Sequence, residues 1–317
     1  MIFSTSNMPD QIDILLPTYN GEKFLCDQID SILQQTHKKW RLLIRDDVSC
    51  DGTRSLIDKY TSLYPEKIFL INNKSSKKGV VGSIQYLLES SSAPYIAFCD
   101  QDDVWCKDKL EIQITKMKEL ESRYGSDFPI LIHTDLVVVN NELKVLDSSF
   151  WNYLHLSPGK MKSLNRALVH NCITGCTVMI NRELIKKSLP IPDGVIMHDW
   201  WLALVAVSEG KIYSINTSTV RYRQHGGNDT GATHWNLQYI TGSVLSKSSY
   251  HKGQLHKTYK QALALLNSNI LSSENRFIVE RYVAMYEMGW VKRRLEMVRM
   301  GFYKYGILRN LAMFAYL

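Results

Sequence analysis

No stretch of this 317-residue sequence approaches the roughly 18 uninterrupted apolar residues that a membrane-spanning helix requires. The opening MIFSTSNMPD has neither the basic start nor the apolar stretch of a secretion signal. We therefore expect a protein that is neither secreted nor membrane-spanning. The six cysteines form no C-x-x-C pair, and no histidine pair lies at zinc-finger spacing. We expect reduced cytosolic thiols, not a disulfide framework or a structural zinc site.

Two glycine-rich phosphate-binding motifs are also missing. The sequence contains neither G-x-G-x-x-G nor G-x-x-x-x-G-K-[ST], which argues against a dinucleotide-binding Rossmann site and against a P-loop. With 45% hydrophobic and 22% charged residues, the composition is that of a globular protein with one large domain or two small ones. Disordered, collagen-like and coiled-coil classes are excluded.

The net charge of +7 is concentrated at one end of the chain. Residues 1–234 carry 26 Lys and Arg against 27 Asp and Glu, whereas residues 235–317 carry 12 against 4. The pattern predicts a nearly neutral body with a basic appendage that meets an anionic partner. A phospholipid surface and a nucleic acid are the two candidates.

The first hundred residues alternate short apolar runs with helical patterns, which predicts a parallel sheet covered by helices. The predicted strands are Ile12–Leu16, Arg41–Arg45, Lys67–Ile71 and Tyr95–Cys99. The second half predicts a mixed sheet and an apolar helix, with strands at Ile130–Val139 and Cys176–Ile180 and the helix at Trp200–Val207, before Gly210. We expect an α/β domain over residues 1–232, followed at 233–317 by basic amphipathic helices that pack on it.

Polar residues follow three of the predicted strands, at the carboxyl edge where such sheets bind ligands. They are Pro17-Thr18-Tyr19-Asn20-Gly21, Asp46-Asp47-Val48-Ser49-Cys50-Asp51-Gly52-Thr53 and Asp100-Gln101-Asp102-Asp103. The second set also fits a helix start, where carboxylates accept backbone N–H groups. The three carboxylates of the third set repel one another unless they share a cation, and oxygen ligands favour Mg²⁺ or Mn²⁺. A solvated surface turn is the alternative.

Together with His198-Asp199-Trp200-Trp201, these motifs resemble those of the inverting family 2 glycosyltransferases. The resemblance covers about residues 12–227. It implies the GT-A fold, in which a Rossmann-like mixed sheet flanked by helices binds a nucleotide sugar. The sequence segments FCDQDDVW, MHDWW and RYRQHGGN most resemble the corresponding segments of bacterial enzymes that build O-antigen, capsule or rhamnan, many of which are rhamnosyltransferases.

The resemblance also implies a role for individual residues. The donor nucleotide would be held by Pro17, Thr18, Tyr19, Asn20, Asp47, Asp100 and Asp103, with the loop 72–82 lining the pocket. Asp47 would bind the pyrimidine ring, and Asp103 would hold the sugar or orient its neighbour. Asp102 would bind the divalent metal, Mn²⁺ or Mg²⁺, and Asp199 would be the general base.

Several of these motif residues have a second interpretation from the sequence alone. Trp200 and Trp201 are either acceptor-binding aromatics or core residues, and Gly175 either allows close approach of the acceptor or marks a bend. His225 is either a ligand of the metal or diphosphate, or an ordinary surface histidine. Arg221 and Arg223 lie two positions apart on one strand, and whichever of them points inward would contact the diphosphate.

The sequence therefore predicts a metal-dependent inverting transferase that moves a hexose to a hydroxyl of a lipid-linked oligosaccharide in surface polysaccharide synthesis. By resemblance the first donor candidate is dTDP-rhamnose, and UDP-glucose, UDP-galactose and UDP-N-acetylglucosamine are alternatives. A sugar-phosphate nucleotidyltransferase and a non-enzymatic nucleic-acid adaptor are the rival classes, and we expect no nucleic-acid partner. We expect a cytoplasmic protein attached to the anionic inner face of the plasma membrane through its C-terminal region.

Overall fold

The computed structural model describes residues 9–71, 79–226 and 248–316. Its strands are β1 (Ile12–Thr18), β2 (Trp40–Asp46), β3 (Ile68–Leu70), β4 (Tyr95–Phe98), β5 (Val104–Trp105), β6 (Ile130–Val139), β7 (Val145–Asp147), β8 (Val178–Asn181) and β9 (Lys211–Arg223). Its helices within the body are α1 (Leu25–Leu33), α2 (Thr53–Leu63), α3 (Gly79–Ser90), α4 (Lys109–Tyr124), α5 (Phe150–Tyr153), α6 (Leu164–Val169), α7 (Arg182–Ser188) and α8 (His198–Glu209). The C-terminal helices are α9 (Ser248–Asn267), α10 (Ser273–Met285), α11 (Trp290–Met300) and α12 (Ile307–Tyr316).

The described strands form one mixed sheet in the order β3-β2-β1-β4-β8-β6-β9-β5, with β7 paired to β6. Its first four strands are parallel. Because side chains alternate along a strand, β1 sends Leu15 into one apolar core and Ile14 and Leu16 into the other. The helix α1 covers the second core with Ile29, and α3 covers the first with Leu87.

The second half of the sheet changes direction, and this brings distant segments to one edge. Strand β8 runs antiparallel to both β4 and β6, and β9 runs parallel to β6. The two-residue β5 pairs antiparallel with the end of β9, so that Val104 lies opposite Arg221. Since β5 directly follows the acidic turn at 100–103, this pairing brings the end of β9 beside that turn.

The structure confirms the α/β mixed sheet that the sequence predicts, with two local differences. Cys176 lies in a 3₁₀ turn over Gly175–Thr177, ahead of β8, because the Thr177 N–H donates to the carbonyl of Thr174 at 2.9 Å. The apolar helix begins at His198, two residues earlier than predicted.

The four C-terminal helices pack on the body, as expected. Leu265, Val279, Met297 and Phe302 are fully buried in the same apolar core as Trp201. The predicted domain boundary at 232/233 lies outside the described residues, so the division into 1–232 and 233–317 stays a prediction. In the three described ranges, helices long and apolar enough to cross a bilayer are absent.

Gly210 joins α8 to β9 where the backbone of Pro129 comes very close. A Cβ at Gly210 would lie 2.1 Å from the Pro129 carbonyl oxygen, which also accepts the N–H of Lys211 at 3.0 Å.

Gly210→Ala should therefore lower the free energy of unfolding by about 1–3 kcal/mol, measured by urea denaturation. Gly253→Ala is the matched control, because nothing lies within 4 Å of its added Cβ. Inside α9 this change should be neutral or stabilising by up to about 1 kcal/mol, and equal effects of the two variants would contradict the packing described.

Candidate active site

The turns that follow β1, β2 and β4 contact one another at the carboxyl edge of the sheet. The Tyr19 N–H donates to the Gln101 side-chain oxygen at 2.9 Å, and the Gln101 amide donates back to the Tyr19 carbonyl at 2.9 Å. The side-chain oxygen of Asn20 accepts the N–H of Cys50 at 2.9 Å. Gln101, whose position the sequence did not single out, therefore fixes the first turn against the acidic turn.

The acidic residues after β2 divide into structural and accessible groups. Asp46 accepts the hydroxyls of Thr18 and Ser49, and Asp51 accepts the N–H and hydroxyl of Thr53, as a helix-start residue does. Asp47 instead points across the edge, where its carboxylate accepts the Gly79 N–H at 2.8 Å. The neighbouring part of the predicted donor loop, 72–78, lies outside the described residues.

Asp102 faces His225, which follows the last strand of the sheet. Their side chains form a contact of 2.9 Å between Asp102 Oδ2 and His225 Nε2, and both side chains keep some exposure. Phe24 packs on the imidazole with a centroid distance of 4.9 Å. The histidine therefore lies at the acidic turn, 123 residues away in the chain.

Arg223 points inward, and its guanidinium donates to three groups of the protein. Its Nε donates to the Asp102 carbonyl at 2.9 Å, Nη1 to the Asn141 carbonyl at 2.6 Å, and Nη2 to Asp27 at 2.8 Å. The residue is only 3% exposed. Its guanidinium holds the acidic turn, and its predicted contact with the diphosphate stays a prediction.

Asp103 is also turned into the protein. It is fully buried, and its Oδ1 accepts the Arg223 N–H at 3.0 Å. Burial, together with the charges of Asp100 and Asp102, raises the pKa of Asp103 well above its usual range. Of its two predicted roles, the orientation of its neighbour agrees with this burial, and contact with the sugar stays a prediction.

Asp199 approaches the acidic turn from the other side of the 3₁₀ turn at 175–177. The Cys176 thiol and the carboxylates of Asp100 and Asp103 bring their ligand atoms within 4.8 Å of one another. The preceding residue, Gly175, donates its N–H to Asp199, and a Cβ on Gly175 would lie 3.8 Å from the Asp199 Cβ. Adjacent residues of one short turn thus contact both acidic groups, and the candidate base lies next to the acidic turn.

Burial raises the pKa of Asp199 to about 7, an effect that the N–H groups of Trp200 and Gly175 partly oppose. The Asn171 amide also lies 3.4 Å from its Oδ1. Asp199 is 8% exposed, so its side chain is largely removed from water but is not completely enclosed by the protein. A carboxylate with a pKa near neutrality is suited to accept a proton at neutral pH.

The predicted acceptor residues have different surroundings. Trp201 is 1% exposed and donates its indole N–H to the Ser188 carbonyl at 2.9 Å, so it is a core residue and its predicted acceptor role is wrong. Trp200 is partly exposed and donates to the Ala167 carbonyl at 2.7 Å, and its acceptor role stays a prediction. Gly175 is buried, and an added Cβ would lie 2.9 Å from His198 Nε2. His198 therefore approaches Gly175 closely, and the acceptor role of Gly175 stays a prediction.

The residues at the acidic turn fit a divalent cation. Two ligands on one Mg²⁺ or Mn²⁺ ion, each about 2.1 Å from it, lie about 3 Å apart when they are adjacent. The 2.9 Å between Asp102 Oδ2 and His225 Nε2 is a hydrogen-bond distance that is also compatible with two adjacent ligands of one ion. Cys176 is a poor candidate ligand, because burial raises the pKa of its thiol well above the usual range.

Lys109 is fully buried behind the acidic turn. Burial lowers its pKa to about 8, and its ammonium group donates to the Gln113 side-chain oxygen at 3.1 Å.

The profile of the family described as "Glycosyl transferase family 2" matches residues 13–189. The chain belongs to this family. It is therefore a glycosyltransferase, and the interpretation as a non-enzymatic adaptor is excluded. The match includes the three strand-end turns and the Gly175–Thr177 turn, whereas Asp199 and His225 lie beyond it.

Relatives and solved structures agree with this assignment. The chain is 32% identical over 218 residues to the UDP-Glc:alpha-D-GlcNAc-diphosphoundecaprenol beta-1,3-glucosyltransferase WfgD of Escherichia coli, covering 67% of this chain and 76% of that one. It is 26% identical over 273 residues to the dTDP-rhamnosyl transferase RfbG of Shigella flexneri, covering 77% and 89%. The crystal structure of S. aureus TarS 1–349 in complex with UDP-GlcNAc superposes with a TM-score of 0.56 at 14% identity, over 92% of this chain and 78% of that one. The last likeness confirms the GT-A fold.

The raised pKa of Asp199 makes stability depend on pH in a defined direction. The unfolded carboxyl ionises near 3.8 and the folded one near 7, so stability is lost as the pH rises between these values. Asp199→Asn removes this ionisation. The variant should therefore gain melting temperature relative to the wild type at pH 8 but not at pH 4, measured by calorimetry. A difference that is the same at both pH values would contradict the desolvated position of Asp199.

Proposed function

We propose that the protein is a bacterial inverting, metal-dependent hexosyltransferase. It moves a hexose from a pyrimidine nucleoside diphosphate to a hydroxyl of a lipid-linked oligosaccharide during the synthesis of a surface polysaccharide. The observation that supports this most strongly is the position of Asp199 beside Gly175, one residue from the thiol that contacts the acidic turn. A metal-binding pair and a carboxylate with a pKa near 7 thereby face one edge of the sheet.

Asp102 and His225 are the residues that would hold the metal. When bound, a divalent cation stabilises the negative charge that develops on the departing diphosphate, and at about 4 Å one unit charge contributes roughly 4 kcal/mol at an effective dielectric of about 20. Arg223 holds the Asp102 backbone carbonyl, and Asp103 binds the Arg223 N–H. These two residues therefore fix the position of Asp102 from behind.

Asp199 accepts the proton of the attacking hydroxyl. A sugar hydroxyl is a weak nucleophile at neutral pH, and a positioned base contributes about a hundred- to ten-thousandfold in rate. Attack from the side opposite the diphosphate inverts the anomeric configuration, so one carboxylate suffices and no covalent sugar–enzyme intermediate is needed. The Asn171 amide and the Gly175 N–H orient the carboxylate.

The donor nucleotide lies against the turn 17–20 and Asp47. Tyr19 is 58% exposed, so its ring is available to a base or ribose, whereas Thr18 is buried and holds Asp46. The names of the two relatives specify different pyrimidine nucleotides, UDP-Glc for one and dTDP-rhamnosyl for the other.

A thermal-shift panel of UDP-glucose, UDP-galactose, UDP-N-acetylglucosamine and dTDP-rhamnose with Mn²⁺ identifies the donor. A donor present at a hundred times its Kd stabilises the folded protein by about 2.7 kcal/mol.

The acceptor is proposed from the same relative and from charge. The WfgD name specifies a diphosphoundecaprenol acceptor, and this chain carries its basic excess in residues 235–317. A lipid-linked acceptor places the reaction at a membrane, and a basic segment attaches a protein to an anionic leaflet. We therefore propose a cytoplasmic enzyme that is peripheral on the inner face of the plasma membrane.

Removing the metal ligands should abolish metal-dependent nucleotide binding. Asp102→Asn and His225→Ala are each expected to weaken UDP binding in the presence of Mn²⁺ by at least about tenfold in isothermal titration calorimetry, because each removes one ligand. Asp108→Asn is the matched control, since Asp108 is exposed and caps α4 without a side-chain hydrogen bond. Wild-type affinity in both site variants would exclude these residues as ligands.

Asp199→Asn should separate chemistry from binding. The amide keeps the shape of the side chain but accepts no proton, so transfer should fall about a hundred- to ten-thousandfold while donor binding is retained. Transfer by the wild type should increase as the pH rises through about 7, where Asp199 loses its proton. A variant with normal transfer would assign the base to another residue.

A further inference from the structure

The outer face of α11 exposes large apolar side chains. Trp290, Val291, Leu295 and Val298 are 66%, 59%, 65% and 53% exposed. At 3.6 residues per turn these four positions lie on one side of the helix. The buried residues of this helix are Glu296 and Met297, and Met297 packs in the core beside the Trp290 edge of the stripe. The helix is therefore anchored to the body while its apolar stripe stays exposed.

The last helix, α12, continues the same feature. Ile307 and Leu311, one turn apart, are 80% and 61% exposed. Arg294 joins the two helices: its Nη2 donates to the Phe314 carbonyl at 2.5 Å, and its guanidinium lies 3.8 Å from the centre of the Trp290 ring. We call these six exposed apolar side chains of α11 and α12 the outer face. Among the described residues they make up six of the sixteen exposed large apolar side chains.

Cations outnumber acids in the segment that carries the outer face, although Arg309 is buried. Residues 290–317 contain six Lys and Arg and a single acid, Glu296. Glu296 is buried and forms ion pairs with Arg281 at 2.6 Å and with Arg299 at 3.9 Å. Lys292 and Arg299 are exposed at the margin of the stripe. The surface thus combines apolar side chains, a tryptophan and cations.

We propose that the outer face is a docking surface for an anionic phospholipid bilayer. This inference rests on the proposed attachment to the membrane and assigns it to particular side chains. Tryptophan and long basic side chains suit the bilayer interface, where apolar side chains enter the acyl boundary and cations meet anionic headgroups. A second copy of the chain is the less favourable occupant, because it would bring a second cluster of the same positive charge to the contact.

Flotation with lipid vesicles tests this proposal on the full chain. The protein should float with vesicles of mixed phosphatidylcholine and phosphatidylglycerol and much less with vesicles of phosphatidylcholine alone. The double variant Trp290→Ser Leu295→Ser should reduce partitioning by about tenfold for each side chain. Lys292→Gln and Arg299→Gln should each reduce it about fivefold on the anionic vesicles only.

Matched controls come from the catalytic body. Val145→Ser Leu146→Ser removes two apolar side chains of similar exposure, 58% and 56%, from β7. Lys59→Gln removes an exposed lysine from α2. Both controls should float like the wild type. UDP binding, measured by calorimetry in solution, should be unchanged in the outer-face variants, because their side chains lie on helices that contribute nothing to the described edge of the sheet.

Each outcome decides between the two proposals. Failure of the wild type to float with anionic vesicles would overturn the docking surface even if nucleotide binding is intact. Flotation without any nucleotide binding would support the docking surface and contradict the proposed enzyme function. Loss of flotation equally in the body controls would also overturn the assignment. So would a dimer, seen by sedimentation, that Trp290→Ser Leu295→Ser dissociates while the wild type does not float.

Discussion

A single buried arginine fixes the geometry on which the candidate site depends. Arg223 binds the Asp102 carbonyl, the Asp27 carboxylate at the start of α1 and, through its own N–H, the Asp103 carboxylate. It thereby ties the acidic turn, the first helix and the end of the last strand into one unit. His225 follows two residues later, so its approach to Asp102 is set by the same contacts. A buried cation without these acceptors would be strongly destabilising.

The change of direction within the sheet explains why the chemistry collects at one edge. The parallel strands β1, β2 and β4 end together and present the nucleotide-side turns there. The antiparallel β8 begins at the same edge, so the 3₁₀ turn that precedes it lies between Asp199 and the acidic turn. Asp199 can therefore be desolvated by the body while remaining beside the proposed donor site. The basic helices on the far side of the shared core present the outer face independently of this edge.

Periodicity and motif spacing predicted the mixed sheet, the acidic turn and the approximate position of the apolar helix. They did so because apolar alternation and strand-end polarity are local properties of a sequence. Sequence reasoning failed where a side chain's direction depends on distant partners. Arg223 and Asp103, both predicted at the donor, bind each other's segments, and Trp201, for which the sequence left an acceptor role and a core role open, fills the core. Gln101 and Asn171 carried no signal, since their contacts with Tyr19 and Asp199 span 82 and 28 residues.

The most direct test of the central claim, that Asp102, His225 and Asp199 serve one reaction, is a crystal structure with Mn²⁺ and an intact nucleotide sugar. The account predicts the ion bound by Asp102 and His225, the pyrimidine beside Asp47, and the Asp199 carboxylate facing the anomeric carbon on the side away from the diphosphate. An ion bound elsewhere, or a sugar separated from Asp199 by the body of the protein, would contradict it.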